Sequence, residues 1–227
     1  MTVAVVLAGG IGSRMGGDKP KQFMLLDGRC VIEYSIDAFD RNKGIDEVLV
    51  VVHPLWVDFM SQMASRNKWS KVGRIVPGGS ERYLSSVNAL EACLGYPDDT
   101  NMIFHDAARP WIADSLIDDV VKALDNHVAV GVAVPSTDTV WEVVADEAGI
   151  SNRVVADIPD RCKMWRAQTP QAFRLSVIRE AYRKALADPL FASTDDCGVV
   201  KRYLPDVEIY VVPGDERNKK ITFAGDL

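Results

Sequence analysis

Glycine and positive charge are concentrated in one short segment near the start of the 227-residue chain. The stretch LAGGIGSRMGGDKPKQF, residues 7–23, follows a β-branched apolar run and carries Arg14 and Lys21 just beyond its first glycines. A glycine-rich turn exposes backbone N–H groups that bind anions, and nearby cations stabilise phosphate oxygens. The segment therefore predicts a phosphate site. The alternative is a strand-to-helix turn whose cations are merely solvated, and in either case Lys19 is expected to be a solvated charge.

Two familiar glycine-rich nucleotide sites do not match this segment. A dinucleotide fingerprint needs a third glycine where the sequence has Met15, and an acidic residue after the second strand, which ends in VVVHP. A P-loop needs Gly-Lys-Ser/Thr, which Ser13-Arg14-Met15 does not supply. These mismatches argue against an NAD(P)-linked oxidoreductase. A non-catalytic nucleotide-binding module stays open as an alternative, although it has no need of Arg14 and Lys21 together.

Composition narrows the class of protein further. The formal net charge of -6 argues against a broad nucleic-acid footprint. Four widely spaced cysteines and three scattered histidines give no zinc-ligand spacing, and free thiols are typical of a reducing cytoplasm. The first residues enter a strand without the features of a signal peptide, and no apolar run approaches the ~20 residues that cross a bilayer. We therefore expect a cytoplasmic protein without nucleic-acid or membrane partners.

Short apolar runs alternate with longer amphipathic runs along most of the chain. The pattern predicts strands at 2–7, 47–52, 73–76, 101–106, 128–135 and 208–214, and helices at 30–39, 54–67, 81–94, 113–127 and 175–186. Such alternation is typical of a doubly wound, mostly parallel α/β sheet of Rossmann-like type, in which ligands bind beyond the carboxyl ends of the strands. We expect the loops after Leu7, Val76 and His105 on one edge, and Asp114 or Ser115 as a helix N-cap.

The stretch from Ser136 to Ala167 interrupts this alternation. Strand-like pieces flank the sequence DEAG, which is typical of a hairpin turn. A hairpin inserted into an α/β domain often covers a site or contacts a second subunit. We therefore predict a single domain over residues 1–227, with residues 136–160 forming a protruding dimerisation arm and the protein forming a homodimer.

Seven motifs in order resemble one enzyme family. They are LAGGIGSRMGGDKPKQF, PGGSERYLSSVNAL, HDAARP, VPSTDTVWE, RAQTPQAF, STDDC and NKKIT. Together they are similar to the IspD/TarI-type cytidylyltransferases, which act on methylerythritol phosphate or ribitol 5-phosphate. The resemblance covers essentially the whole chain and implies a GT-A-like nucleotidyltransferase fold. It also implies that CMP moves from CTP to an alditol phosphate, giving a CDP-alditol and pyrophosphate, with Mg²⁺ as cofactor.

The resemblance also assigns roles to individual residues. The catalytic cations that it implies are Arg14, Lys21, Arg161 and Lys220. Contacts to CTP are implied for Leu7, Ala8, Gly9, Gly10, Gly78, Gly79, Ser80, Arg82, Ser85 and Asp106, with Asp106 also near the metal. Mg²⁺ itself would be held mainly by the triphosphate. Binding of the alditol phosphate is implied for Arg109, Thr139, Arg161, Thr169 and Lys220, of which Thr139 and Arg161 would reach a neighbouring subunit's site.

The identity of the alditol phosphate is divided between two branches of this family. HDAARP is the form usual in methylerythritol enzymes, whereas HPLWVDFM, ADIPDRCKMWRAQTPQ and TDDC look more like the ribitol branch. The methylerythritol branch also commonly has a lysine two residues after the position of Thr139, where this chain has Trp141. These features favour ribitol 5-phosphate modestly over 2-C-methyl-D-erythritol 4-phosphate. Family members usually continue past ITFAGDL, so a longer parent chain or a fused second enzyme stays open.

Overall fold

The computed structural model describes residues 1–10, 20–146 and 149–226 of the chain. Within these residues the strands are β1 Thr2–Ala8, β2 Leu25–Leu26, β3 Arg29–Cys30, β4 Glu47–Val52, β5 Val72–Pro77, β6 Asn101–Asp106, β7 Ala129–Pro135, β8 Glu142–Asp146, β9 Gly149–Asp157, β10 Trp165–Arg174 and β11 Tyr210–Pro213. The helices are α1 Val31–Arg41, α2 Val57–Asn67, α3 Arg82–Ala92, α4 Asp114–Ala123, α5 Leu175–Ala185 and α6 Asp196–Tyr203. None of the described helices is long and apolar enough to span a membrane.

Seven strands form the central sheet in the order β11-β7-β10-β6-β1-β4-β5. The pairs β1/β4, β1/β6, β4/β5 and β11/β7 are parallel, and β10 alone among these strands runs antiparallel to both of its neighbours, β6 and β7. The sheet is therefore mostly parallel, as the alternating pattern of the sequence predicts. The carboxyl ends of β1, β5 and β6 lie at one edge, which confirms the expected position of the three loops.

The central strand β1 is buried along its whole length because helices cover both faces of the sheet. Side chains of successive residues point to opposite faces, so Ala4 and Val6 pack with apolar residues of α1, α2 and α4, while Val3 and Val5 pack with those of α3, α5 and α6. Burial on both faces explains why the strand reads as a continuous apolar run rather than an alternating one. The fold is a Rossmann-like α/β fold with helices on each side of the sheet.

Two elements of the fold were not anticipated from the apolar pattern. The sequence WRAQTPQAFR forms β10, in the middle of the sheet, and DCGVVKRY forms α6 beside it. The predicted strand-like pieces around DEAG are the antiparallel strands β8 and β9, which pair only with each other among the described residues. The turn residues 147–148 of this hairpin lie outside the described residues.

The N-cap prediction for α4 was wrong. Ala113 occupies the N-cap position, without a side-chain hydrogen bond, and Asp114 is the first residue within the helix. The carboxylate of Asp114 forms a bidentate ion pair with Arg41 of α1, with a shortest distance of 2.7 Å. The negative charge of Asp114 thus stabilises the helix N-terminus through the helix dipole. Its ion pair with Arg41 joins α4 to α1.

A short 3-10 turn, Lys21–Phe23, fixes the end of the glycine-rich segment onto the core. The Phe23 ring is fully buried, stacks on Trp56 with ring centroids 4.8 Å apart, and meets Phe59 edge-on. Since rotation of this turn would expose an aromatic ring, the two residues before Phe23 are held in place by its packing.

We expect the substitution Phe23→Ala to lower the free energy of unfolding by about 3–5 kcal/mol, because it removes a fully buried ring and leaves a cavity. Urea titration followed by tryptophan fluorescence measures the change. Leu25→Ala, two residues away at a side chain 61% exposed, is the matched control and should change stability little. Equal effects of the two substitutions would contradict this role of Phe23.

Candidate active site

A cavity of about 480 Å³ opens at the carboxyl edge of the sheet. Its wall combines the end of β1, the turn before α3, the end of β6 and the segment near the C-terminus. The residues lining it are Leu7, Ala8, Gly9, Gly10, Lys21, Gln22, Gly79, Ser80, Glu81, Arg82, Ser85, Asp106, Ala107, Ala108, Thr194, Lys220 and Thr222. The structure therefore brings eleven residues of the sequence-predicted site to one cavity, among them Lys21, Asp106 and Lys220.

Backbone approaches backbone closely on one side of this cavity. A Cβ on Gly9 would lie 2.5 Å from the Ser85 hydroxyl oxygen, and a Cβ on Gly78 would lie 3.0 Å from the Gly9 Cα. A larger residue at Gly9 would displace the Ser85 side chain, and one at Gly78 would press on the Gly9 backbone. Ser85 is itself buried and accepts a hydrogen bond from the Gly79 N–H at 3.3 Å. Gly78 thus supports the cavity wall from behind, and both glycines are needed for its shape.

Two lysines from opposite ends of the chain face the cavity. The Lys21 ammonium donates a hydrogen bond to the Ile221 carbonyl at 2.8 Å, and the Lys220 ammonium lies 2.6 Å from the Asp106 carboxylate. The C-terminal segment reaches this position because the Ile221 N–H donates to the Ala108 carbonyl. The C-terminal segment that carries Lys220 thus also contacts Lys21. A polyphosphate in the cavity could bind both cations.

Asp106 is the centre of a group of charges at the end of β6. Arg82 lies 3.5 Å from one of its carboxylate oxygens, and Lys220 contacts the other. Burial opposes ionisation of Asp106, but the positive charges of Arg82 and Lys220 outweigh it, so the pKa of this carboxyl lies well below its usual range. Asp106 is therefore a carboxylate at physiological pH, available to a ribose hydroxyl or to a metal-bound water.

A second carboxylate lies behind Arg82. Asp196 is fully buried; its Oδ2 is 2.9 Å from the Arg82 guanidinium, and its Oδ1 accepts a hydrogen bond from the Tyr182 hydroxyl at 2.6 Å. The Arg82 contact is an ion pair without hydrogen-bond alignment, since the Asp196 Oδ2 has no hydrogen-bond donor. Arg82 therefore bridges a buried carboxylate to one that faces the cavity.

Buried polar groups beneath Asp106 form a continuous hydrogen-bonded chain. The Asp106 N–H donates to the Thr169 hydroxyl at 3.1 Å, that hydroxyl contacts His105 Nδ1 at 3.1 Å, and His105 Nε2 lies 3.1 Å from the Arg109 carbonyl. A neutral ring that donates from Nε2 and accepts at Nδ1 satisfies every partner. Burial is the largest influence on His105 and lowers the pKa of the imidazole to about 4. The histidine is thus neutral and structural.

Thr169 and Arg109 are not among the residues that line the cavity. The Thr169 hydroxyl is directed to Asp106 and His105, as described above. The Arg109 guanidinium donates to the Asn218 carbonyl at 2.7 Å and to the Ala167 carbonyl at 3.5 Å. Both residues therefore hold the C-terminal segment and β10 against β6. Their predicted contacts with the alditol phosphate stay predictions.

Thr139 and Arg161 lie on the stretch that carries the hairpin, and neither lines the cavity of its own chain among the described residues. Both side chains are exposed, and the Arg161 guanidinium contacts the Thr137 carbonyl at 3.2 Å. Arg14 and Lys19 lie outside the described residues, so the catalytic role predicted for Arg14 stays a prediction.

Sequence reasoning missed several residues of the site. Gln22, Glu81, Thr194 and Thr222 line the cavity, and Asp196 supports Arg82 from behind. All five stand within motifs that the resemblance rests on, and Gln22 and Glu81 lie directly beside residues to which it assigns a role. Adjacency to a residue with an assigned role was thus the available signal for a site residue. No pattern of residue types separates a threonine that lines the cavity from one on the surface.

The described residues contain no group of three or more His, Cys, Asp or Glu side chains that could hold a metal ion. Asp106 and Glu81 are the acidic residues among those that line the cavity. Mg²⁺ prefers phosphate oxygens and water to an all-protein set of ligands. One or two carboxylates beside a polyphosphate fit that preference.

Comparisons with known proteins point to one family. The family model described as IspD, 2-C-methyl-D-erythritol 4-phosphate cytidylyltransferase, matches residues 2–227. The chain is 46% identical over 224 residues to the 2-C-methyl-D-erythritol 4-phosphate cytidylyltransferase of Thermobifida fusca, which covers 99% of this chain and 89% of that protein. It is 36% identical over 225 residues to a bifunctional ribulose 5-phosphate reductase/CDP-ribitol pyrophosphorylase of Haemophilus influenzae, covering 99% of this chain and 46% of that protein.

A solved structure shares the whole architecture. The 4-diphosphocytidyl-2C-methyl-D-erythritol synthase of Anaerococcus prevotii superposes with a TM-score of 0.84 at 30% identity, covering 100% of this chain and 94% of that one. The agreement extends over both faces of the sheet and over the segment near the C-terminus that carries Lys220.

The buried neutral His105 makes stability depend on pH. Its pKa falls from 6.5 to about 4 on folding, so the unfolded chain takes up the proton more readily and stability is lost as the pH falls from 6.5 towards 4. We expect the loss from this residue between pH 7.5 and 4.5 to be about 2–3 kcal/mol. Urea unfolding at several pH values measures it.

His105→Asn should lower stability at neutral pH but flatten this dependence, because asparagine does not titrate there. His127→Asn, at a ring that stacks on Tyr210 away from the network, is the control and should keep the dependence of the wild type. An unchanged dependence in His105→Asn would refute the assignment of the loss to His105.

Proposed function

Because the chain belongs to the IspD family and is a CTP-dependent cytidylyltransferase, we propose that it transfers CMP from CTP to 2-C-methyl-D-erythritol 4-phosphate. The products are the CDP-alditol and pyrophosphate, and the compound formed is an isoprenoid precursor. The observation that carries this choice of substrate is the 46% identity to a methylerythritol enzyme over nearly the whole of both proteins. The cavity geometry supports the transfer chemistry equally for any alditol phosphate.

The modest preference for ribitol 5-phosphate drawn from local sequence features is not supported. The relative named for CDP-ribitol synthesis is 36% identical, against 46% and 43% for relatives named for methylerythritol phosphate. Among the features that favoured ribitol, those in α2 do not line the cavity, those around Arg161 would reach a cavity only in the proposed dimer, and Thr194 of TDDC lines it. Ribitol 5-phosphate is therefore kept as the competing outcome of the assay below.

In the proposed reaction, a phosphate oxygen of the alditol phosphate bonds to the α-phosphorus of CTP while the bond to the bridging oxygen breaks. Pyrophosphate leaves, so the step needs in-line placement and neutralisation of charge rather than a covalent intermediate. Lys21 and Lys220 supply positive charge at the cavity, and Arg14 is proposed to add to it. Asp106 and the backbone of Ala8–Gly10 hold the nucleotide, with Ser80, Arg82 and Ser85 close to the base.

We include Mg²⁺ in the proposal as a cofactor, which would neutralise the charge of the pyrophosphate group as it leaves. Asp106 would contact it directly or through water. The protein's own contribution is to keep Asp106 ionised, which Arg82 and Lys220 do. The location proposed is the cytoplasm, a reducing compartment consistent with four cysteines that form no disulfide among the described residues.

The arm, residues 136–160, is proposed to form a homodimer with shared active sites. Its hairpin exposes the apolar side chains Val143, Val144, Val154 and Val155, each close to half exposed, on strands that pair only with each other among the described residues. Exposed apolar surface of this kind is typical of a protein interface. Thr139 and Arg161 would then reach the partner's cavity, since they do not line their own.

The substrate proposal is tested by incubating the protein with CTP, Mg²⁺ and one alditol phosphate at a time, and measuring pyrophosphate. We expect kcat/KM with 2-C-methyl-D-erythritol 4-phosphate to exceed that with ribitol 5-phosphate by about 100-fold or more, since a site that binds one polyol discriminates strongly against another. The reverse preference would establish the ribitol enzyme instead. Release with neither compound would overturn the proposed function, and omission of Mg²⁺ tests the metal.

Shared sites are tested by mixing two inactive variants. Lys21→Ala and Arg161→Ala should each lose about 100-fold in turnover, because each removes a cation that binds phosphate oxygens. After refolding together, a mixed dimer has one site with both cations intact, so roughly a quarter of the wild-type activity should return. Lys219→Ala, at a lysine whose ammonium lies over the Trp111 ring and not in the cavity, is the control and should stay active. No recovery, or a monomeric mass near 25.0 kDa by light scattering, would contradict the arrangement.

A further inference from the structure

The turn that carries Lys21 also contains a buried glutamine with no part in the proposed chemistry. Gln22 is 3% exposed, and its side-chain amide donates hydrogen bonds to the Ala8 carbonyl at 2.6 Å and to the Gly10 carbonyl at 2.8 Å. It lines the same cavity as the two residues that it binds. One side chain therefore connects the beginning of the glycine-rich segment to its end.

This contact orients backbone that would face a phosphate. In a trans peptide the C=O and the N–H point in opposite directions, so the bond to the Ala8 carbonyl directs the Gly9 N–H away from Gln22. An anion-binding turn must present N–H groups to its ligand and turn its carbonyl oxygens away. Without the glutamine amide, the carbonyls of Ala8 and Gly10 would need another donor or would be free to rotate.

Gln22 can hold this position because its own backbone is fixed. It lies between Lys21, whose ammonium donates to the Ile221 carbonyl, and Phe23, whose ring is locked against Trp56. The Phe23 N–H donates to the Pro20 carbonyl at 2.9 Å, which closes the turn. The distance between the Lys21 cation and the glycine backbone is thus set by a rigid aromatic anchor and two amide hydrogen bonds.

We propose that Gln22 is a positioning residue for CMP transfer: its amide fixes the Ala8–Gly10 backbone in the conformation that receives the triphosphate, at a constant distance from Lys21. The inference rests on the proposed function, since it takes CTP as the ligand of the cavity. It adds a residue that acts through the backbone rather than by touching the reacting atoms.

Gln22→Glu is the test, because it keeps the shape of the side chain and replaces the donating amide with a carboxylate that repels both carbonyls. Calorimetry with CTP and with CMP, each with Mg²⁺ and without alditol phosphate, measures binding apart from turnover. We expect the Kd for CTP to rise about tenfold or more and the Kd for CMP to rise less than about threefold, since the β- and γ-phosphates lose the oriented backbone. The ratio of the two affinities separates positioning from general damage.

Gln168→Glu is the matched control. Its amide also donates to one carbonyl, that of Asp215 at 2.9 Å, but the residue does not line the cavity. It should leave the CMP to CTP affinity ratio of the wild type unchanged. Gln22→Met, which has a similar length and no charge, is the second variant if the glutamate prevents folding, and the same change in the ratio is expected.

Three results would overturn the inference. An unchanged CTP affinity in a folded Gln22 variant, or equal weakening of CTP and CMP, would show that the glutamine does not position the phosphate backbone. Unfolding of both variants would show that it is structural only. Absence of CTP binding by the wild type would overturn the proposed function as well, whereas the first two results leave that function intact.

Discussion

The contact between Lys220 and Asp106 is the interaction on which the rest of the site depends. It joins residues 114 positions apart, and it requires the segment near the C-terminus to lie across the carboxyl edge of the sheet. Lys220 acts together with Arg82 here, because a buried carboxylate without a cation would take up a proton rather than stay ionised. Two hydrogen bonds keep that segment in place. The Ile221 N–H donates to the Ala108 carbonyl, and the Arg109 guanidinium donates to the Asn218 carbonyl.

Charge balance explains why the site needs so few acidic residues. Arg82 and Lys220 surround Asp106, and Asp196 offsets part of the charge of Arg82 from inside the protein. With Lys21, three cations line the cavity against the two carboxylates of Glu81 and Asp106, so a polyphosphate meets cations rather than a ring of carboxylates that would repel it. In such a site a divalent cation brought by the nucleotide needs only one or two protein oxygens.

The parts that sequence reasoning predicted are those that depend on local pattern. The β-branched run of β1 can be buried only as a central strand, and the glycines near Gly9 and Gly78 marked the turns at the edge of the sheet. Strand β10 was not predicted, because its central residues are not typical of a buried strand. They are Gln168, Thr169, Pro170 and Gln171. Their burial is possible only because distant partners satisfy them: the Asp215 carbonyl, the Asp106 N–H and the Asp195 carboxylate. A single sequence does not show such pairs.

Local sequence features favoured ribitol 5-phosphate, whereas the relatives with higher identity are named for methylerythritol phosphate, and the difference has a related cause. Transfer at the α-phosphorus uses the cations and the glycine backbone, which any substrate of this class needs, so the motifs that carry the chemistry carry no information on the polyol. The polyol must be read by side chains that meet its hydroxyl groups, and those side chains lie on loops and, in the proposed dimer, on a partner. No residue of α2 lines the cavity, whereas HDAARP contributes Ala107 and Ala108 to its wall and TDDC contributes Thr194. The differences that bear on the polyol are therefore those in residues that line the cavity or, in the proposed dimer, reach it from the partner.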